Sequence, residues 1–504
     1  MKAPDRPRSF WRVLLGSWAI LAVLSGLWAL ATPVGAAPDE PAHLIKAASV
    51  ARGQLIGEPG PFGNIVQVPL YIAYTHTQTC YAFVPNEAAD CMPEIPDDPA
   101  SIVDASTTAG LYNPLYYALV GWPSLVFDDD KGIYAMRAVG AILTSLLLAL
   151  SFALVSRWRA PTLPSLGLAV AITPMVLFLA GTVNPNSIEV AATLTAFAGM
   201  LTLVRDQPAR LWPTAAIVFV SAAIAANMRG LSLLWLAIAL LAPLALLTRA
   251  RFVELVRTRA VQVLIGVTLL AAVAAAIWLL STNSLGSAID DPDDPSTAPG
   301  VGTSPLFGFV WTLFSTFEYG QGIVGVFGWL DTPAPTFVFF VWALLAGGLL
   351  LLAIVLLRGR ALALVLGLAG ALLLLPPVLQ GVYITSGGII WQGRYILPIF
   401  VITIVAAGAL LADRLHQLDR GTTTRVLVVV AGLWAFAQFQ SFATALRRYA
   451  VGHDGGWLDL LNPEWSPPGG VLPVLAAFGV AAVAAAIGFI LLVRRRSAVG
   501  VTAP

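Results

Sequence analysis

Charge is what this chain has least of. Asp, Glu, Lys and Arg make up 11% of its 504 residues, against 58% hydrophobic, a balance that excludes a soluble globular protein and requires many membrane crossings. Lysine is scarce beside arginine, which together with abundant alanine suggests a GC-rich bacterial genome. The 2 cysteines, Cys80 and Cys91, have no histidine pair nearby, so they make a poor zinc site even with His76 close in sequence, and a structural disulfide in an oxidising compartment is the favoured reading. No internal repeat of the secondary-transporter kind is visible. Ionisable groups are nearly missing from mid-span positions, which argues against a proton-coupled transporter or channel. A net charge of +1 says nothing about partners, and no nucleic acid is expected among them.

What is present is apolar length. Runs able to cross a hydrocarbon core lie at 11–32, 133–156, 164–182, 188–204, 212–226, 231–248, 261–281, 336–357, 361–385, 395–412, 426–446 and 471–493. They predict an all-α polytopic integral membrane protein of about twelve transmembrane helices, at roughly 20 residues per crossing. Arginines cluster in alternate connections, among them Arg6, Arg8 and Arg12; Arg157 and Arg159; Arg205 and Arg210; Arg249 to Arg259; Arg358 and Arg360; and Arg414 to Arg425. The positive-inside rule makes these cytoplasmic, with both termini inside. The opposite connections are acidic, with Glu87, Asp90, Asp104 and Asp128 to Asp130 in one and Asp290, Asp291, Asp293 and Asp294 in another. Val34-Gly35-Ala36 is similar to a signal cleavage site, but the preceding run is longer than a signal core.

The chain reads as one transmembrane domain over 1–504, with an outer loop at 33–132, a second outer segment at 282–335 and a cytoplasmic tail at 494–504. A first loop of that length is folded or functional. Residues 42–51 read as a short helix ended by Gly53. The aromatic run from Leu111 to Phe127 and the run from Phe307 to Tyr319 are too short to span, and read as helices lying along the interface.

Two constellations carry chemistry. In Pro38-Asp39-Glu40-Pro41-Ala42-His43, Pro41 suits the first turn of a helix, so Asp39 or Glu40 would stand at a helix N-terminus, where the dipole favours the ionised form. A carboxylate held there can take a proton from a hydroxyl, a role worth about 10²–10⁴ in rate; ordinary helix capping is the bland alternative. His43 could orient a carboxylate, and Asp39, Glu40 and His43 together are a candidate divalent-metal set, although the spacing matches no strong metal motif. In Trp391-Gln392-Gly393-Arg394-Tyr395, the arginine sits at the depth of lipid phosphates, which its planar fork fits bidentately. Arg229, in a tight outer hairpin, could share that task. Tyr112, Tyr116, Trp391 and Tyr395 are suited to sugar stacking or to anchoring at the interface. Glu189 wants a partner, and an arginine from a neighbouring span is the conservative expectation.

Taken in order, Pro38 to His43, Asn113-Pro114-Leu115-Tyr116-Tyr117, Met136-Arg137, Asn184-Pro185-Asn186 and Gln392-Gly393-Arg394-Tyr395-Ile396-Leu397-Pro398 resemble the bacterial membrane-protein family labelled domain of unknown function 2142. That family is grouped with the GT-C superfamily of integral membrane glycosyltransferases. The resemblance implies a GT-C-like fold in the bacterial inner membrane. It further implies transfer of a sugar, with inversion, from a polyprenyl-phosphate carrier to a cell-envelope glycan, lipid or protein on the extracytoplasmic side. It puts Asp39 at the catalytic carboxylate, with Glu40 as its substitute. Arg394 and Arg229 are then expected on the donor phosphate, and His43, Tyr112, Asn113, Tyr116, Trp391, Gln392 and Tyr395 around the substrates. A lipid-linked glycan exporter and a non-catalytic envelope scaffold are the competing readings.

Overall fold

The computed structural model describes residues 6–206, 211–284, 299–415 and 420–499. Arg210, the acidic run Asp290, Asp291, Asp293 and Asp294, and the end of the expected tail lie outside the described residues.

The chain begins with α1 (Arg6–Ala31), an apolar helix long enough to cross a membrane, and turns into α2 (Glu40–Ala51). A small antiparallel sheet follows, made of β1 (Glu58–Gly60), β2 (Gly63–Pro69) and, beyond the one-turn α3 (Leu70–Ala73), β3 (Ile102–Thr107), in the order β1-β2-β3. In its register Val66 faces Ala105 and Val68 faces Val103. The expectation of an all-α fold is corrected by this sheet, whose strands lie in a Pro/Gly-rich stretch with only a short apolar alternation at Ile65 to Val68. α4 (Pro114–Gly121) closes the segment, and α5 (Lys131–Val155) re-enters the bundle. α4 turns Tyr116 and Tyr117 fully inward, while the turn that follows it leaves Trp122, Leu125, Val126 and Phe127 exposed.

Next come α6 (Thr162–Ala171) and α7 (Pro174–Ala180), bent by 64° where Pro174 ends the hydrogen-bond ladder, and then α8 (Asn186–Leu201), α9 (Leu211–Ala226), α10 (Ser232–Leu241), α11 (Arg249–Val256) and α12 (Arg259–Ser281). The second outer segment holds α13 (Pro305–Phe314), α14 (Thr316–Val324) and a two-stranded ladder. α15 (Thr336–Trp342) and α16 (Gly348–Leu356) form one crossing through a π-helical turn, followed by α17 (Gly359–Gly387), α18 (Leu397–Leu411), α19 (Arg420–Val451) and α20 (Val471–Val499).

Among the described residues, 9 helices are long and apolar enough to cross a membrane, or up to 10 if the bent α6–α7 pair is one span. The expectation of twelve is corrected by that number. All twelve apolar runs are helical, but Leu211–Ala226 and Ser232–Leu246 are short; 16 residues of helix rise about 24 Å, against a hydrocarbon core of about 30 Å.

Burial sorts the spans. α8 and α18 are buried along their whole length, whereas α12 and α20 expose most of theirs. Small residues make this possible for α8, since Ala, Thr and Gly let neighbouring backbones approach. Thr195 of α8 bonds the Leu147 carbonyl of α5 at 2.7 Å. The aromatic hub is Trp28 of α1, packed against Phe178, Phe327, Phe442 and Phe478. Two chemically different ends result. Arg205, Asp413, Arg360 and the Leu247 carbonyl meet at an arginine end. The segment 33–132 and the α13–α14 region cover the other, acidic end.

Candidate active site

The acidic end is assembled around one arginine. Arg137 of α5, fully buried, donates to the carbonyls of Ala29 (2.9 Å), Thr32 (2.6 Å) and Pro33 (2.8 Å). The first two lie at the end of α1, which leaves its last carbonyls without intrahelical partners; Pro33 is in the turn just beyond it. The same guanidinium grips Glu40 from two sides, Nε to Oε1 at 2.7 Å and Nη2 to Oε2 at 2.5 Å. Glu40 Oε1 also accepts from the Val183 amide at 3.0 Å, and Asn184 Nδ2 donates to the Pro38 carbonyl at 3.2 Å. The exit of α1, the entry of α2 and the α7–α8 turn are thus pinned to one another. Glu40, expected as the alternative base, is corrected by this geometry: its carboxylate is sealed from solvent and saturated with donors.

Asp39 is what the clamp presents. From Ala31 to Val50 every residue is buried except Asp39. Its backbone sits in the left-handed region, φ 62 and ψ 6, and although it occupies the N-cap of α2 it makes no side-chain cap bond. Such a conformation costs a non-glycine residue of order 1 kcal/mol and persists where the surroundings enforce it. Ordinary helix capping therefore does not describe this residue. Its Oδ2 instead accepts from Arg394 Nη2 at 2.7 Å, with half of the Asp39 side chain exposed and Arg394 at 2%. Burial among protein groups pushes the Asp39 carboxyl up, but Arg394, His43 and Arg229 outweigh it and hold the carboxyl below the usual carboxylate range.

Arg394 lies in the turn before α18, and the glycine ahead of it sets its position. A Cβ at Gly393 would stand 2.0 Å from the Tyr319 carbonyl of α14, so the turn can pack there only without a side chain. Gln380 of α17 secures the other side, its Oε1 accepting from the amides of Ile390 and Trp391 at 3.1 and 2.8 Å. Among the described residues, Nε and Nη1 of Arg394 have no hydrogen-bond partner although both are buried. Buried donors left this way are costly and mark a place built for an acceptor.

Arg229, at the tip of the α9–α10 hairpin, joins from the far side. Its guanidinium lies over the Tyr395 ring at 4.7 Å, and that of Arg394 lies at 5.3 Å from the same ring. Arg229 Nη1 donates to Asn186 Oδ1 at 2.5 Å; Asn186 Nδ2 and the Ser232 hydroxyl donate in turn to the Glu189 carboxylate at 3.3 and 2.5 Å. Glu189 reaches an arginine of a neighbouring helix, but through an amide rather than by direct pairing. Two guanidiniums and one accessible carboxylate thus meet here, with the buried Glu189 behind Arg229.

The remaining residues divide. His43 Nδ1 bonds the Tyr117 hydroxyl at 2.9 Å, and burial drives its pKa down to about 3 despite the raising effect of Asp39, so it is a neutral imidazole. With Glu40 taken by Arg137, the candidate metal set of Asp39, Glu40 and His43 does not form. Among the described residues no group of three or more His, Cys, Asp or Glu could hold a metal ion. Tyr116 is buried against Tyr117 and open to no substrate, which corrects its expected place among the sugar contacts. Asn113 caps α4 through the Leu115 amide and bonds Asn227 at 2.9 Å. Tyr112, Asn113, Asn227 and Arg229 line a cleft of about 20 Å³, room for a water rather than a sugar. Trp391 is buried edge-on against Tyr395, with Gln392 half-buried between them. Cys80 and Cys91 form a disulfide, and the carbonyls of Tyr81, Val84 and Glu87 in its loop accept from Arg448 of α19.

Reasoning from sequence quoted Arg137 and Asn184 among the motifs but gave them no role, and it missed Lys46. Arg137 carried a signal, a lone arginine inside an apolar run, which in a membrane requires an anionic partner. Lys46 donates to the carbonyls of Leu55 and Gly110, just ahead of Tyr112, and burial lowers its pKa to about 8.

These features define a multi-pass membrane protein with a strained acid and two arginines gathered in a recess at one end of its bundle. The chain belongs to the family described as predicted membrane protein DUF2142, whose profile matches residues 22–403. No curated protein matches it in sequence. Among solved structures it has a distant likeness to ArnT from Cupriavidus metallidurans. The form bound to undecaprenyl phosphate aligns over 96% of this chain and 77% of that one, with 13% identity and a TM-score of 0.46. The apo form gives the same coverage with 14% identity and a TM-score of 0.43.

Proposed function

We propose that this protein is a GT-C-type membrane glycosyltransferase, moving a sugar from a polyprenyl-phosphate donor to a hydroxyl of a cell-envelope acceptor on the extracytoplasmic side, with inversion. In this reading the arginine end is cytoplasmic, as the positive-inside rule requires. The observation that carries it is the half-exposed, uncapped Asp39 against an Arg394 with two unsatisfied buried donors.

The donor phosphate enters the recess, takes the idle Nε and Nη1 of Arg394 and draws on the charge of Arg229. Engaging Arg394 in this way loosens its hold on Asp39, which restores basicity to a carboxylate that the arginines otherwise keep weak. The acceptor oxygen attacks the anomeric carbon as the bond from that carbon to the phosphate oxygen breaks. Its proton passes to Asp39, and the electron pair of the broken bond leaves on the lipid phosphate. Because the cleft beside Arg229, lined by Tyr112 and Asn113, is small, donor binding has to widen it. The buried charged side chains of the described residues, Glu40, Lys46, Arg137, Glu189, Arg394 and Arg448, all stand at the acidic end, which favours surface chemistry over an exporter's through-path.

The test is turnover by purified protein on a panel of polyprenyl-phosphate sugars. Asp39→Asn is expected to lower product formation about 10²–10⁴-fold and Arg394→Ala to weaken donor use. Full turnover by both variants would overturn the assignment.

A further inference from the structure

A second cavity lies far from Asp39. It encloses about 240 Å³ and is walled by apolar side chains, large ones such as Phe152, Trp434 and Phe489 alternating with small ones such as Gly16, Ala485 and Gly488, with Arg12 at its rim. Its depth in the bundle follows from the elements that line it. It takes the first half of α1, the last turn of α5, the end of α6, the first half of α19 and the later half of α20. Five helices thus place it in the half of the bundle nearest the arginine end. Its origin is the α6–α7 break: α6 stops at Ile172, whose freed carbonyl is taken by Trp434 and Gln438 of α19 at 3.0 and 2.9 Å, and the 64° bend carries α7 away. The opening is lateral, since Gly16 and Gly488 are both exposed.

We infer that this cavity binds one anionic phospholipid of the adjacent leaflet, an acyl chain lying in the groove and the phosphate on Arg12. The lining offers an acyl chain close contact and asks for no hydrogen bonds. Arg12 is exposed and, among the described residues, pairs with no carboxylate. Arg157 stands at the same end, over the Phe10 ring at 6.0 Å, so the rim is positive where an anionic headgroup would lie. The site owes nothing to the donor recess, and its failure would leave the reading of Asp39 and Arg394 untouched.

The test is native mass spectrometry of the purified, delipidated full chain titrated with phosphatidylglycerol or with phosphatidylcholine of equal chain length. One phosphatidylglycerol per chain is expected, held about fivefold more tightly than phosphatidylcholine, the worth of a single arginine near an anionic surface. Arg12→Gln should erase that preference. A Cβ at Gly16 or Gly488 meets nothing within 4 Å, so a Gly16→Leu/Gly488→Leu double variant should fill the groove and end retention without lowering the lipid-free melting temperature. Should that variant misfold, Ala485→Phe fills the groove from another wall. Equal retention of the two lipids by the native protein, undiminished binding in the filled variants, or displacement by equimolar undecaprenyl phosphate would each overturn the proposal.

Discussion

Asp39 and Glu40 are neighbours in the chain and opposites in the molecule. Each is paired with an arginine, yet Glu40 and Arg137 are 0% exposed on both sides, whereas Asp39 keeps half its side chain open above an Arg394 that is 2% exposed. Arg137 spends all its donors, on Glu40 and on three carbonyls; Arg394 spends one. A saturated buried pair can only hold structure, because nothing further can bind it without breaking it. An unsaturated pair at an opening can exchange partners. The lesson is that the same two residue types, one position apart, are divided into a closed frame and a pair still open to binding by how many of their hydrogen-bonding sites are already taken.

That contrast can be broken or sharpened in order of expected effect. Arg137→Ala should be the most damaging change, since it strands the Glu40 charge and three carbonyls at the exit of α1; a loss of about 3–5 kcal/mol is expected for a broken buried pair, measured by thermal unfolding in detergent. Asp39→Asn should do the reverse. Asn tolerates the left-handed backbone, so the melting temperature should hold while turnover falls about 10²–10⁴-fold, as for a lost general base. A drop in stability on the scale of Arg137→Ala would erase the distinction between the two pairs. Asp39→Gly relieves about 1 kcal/mol of backbone strain but removes the acceptor of the buried Arg394, so its melting temperature should lie close to that of Asp39→Asn while it remains inactive.

The last effect is a pH slope, spread over several pH units rather than read at one condition. His43 is neutral in the folded protein with a pKa near about 3, against 6.5 when free. Between those values the unfolded chain binds the extra proton, so stability falls as pH drops from 6.5 towards 3. Asp39, with its lowered value, adds a loss only below its ordinary titration range near about 4. His43→Gln, which can still bond Tyr117, should flatten the melting-temperature slope between pH 6.5 and 4; an unchanged slope would remove His43 as its source.

Much of the architecture was legible as apolar length. All twelve hydrophobic runs are helical, and their miscount as spans came from treating the two short helices Leu211–Ala226 and Ser232–Leu246 and a Pro-broken pair like full crossings. The strands of the outer segment were not legible, because β2 shows its alternation over only a few residues between glycines and prolines. At the site, Asp39 and Arg394 stood out as ionisable groups flanking spans. The distinction between Asp39 and Glu40 did not, since adjacent carboxylates differ only in what meets them, and Arg137 lies 97 positions from Glu40.

Residue order alone determined that this chain enters a membrane, where its charges fall along the bilayer normal, and which few polar side chains stand at the mouths of the spans. Those follow from local hydrophobicity, which needs no partner. Folding decided that a carboxylate and a guanidinium 355 residues apart share one recess, and that the neighbouring carboxylate is sealed away. It also opened the apolar groove at the opposite end, through the break between α6 and α7. Each of these depends on which helix faces which, and in a bundle that is settled by packing among distant segments rather than by any one of them.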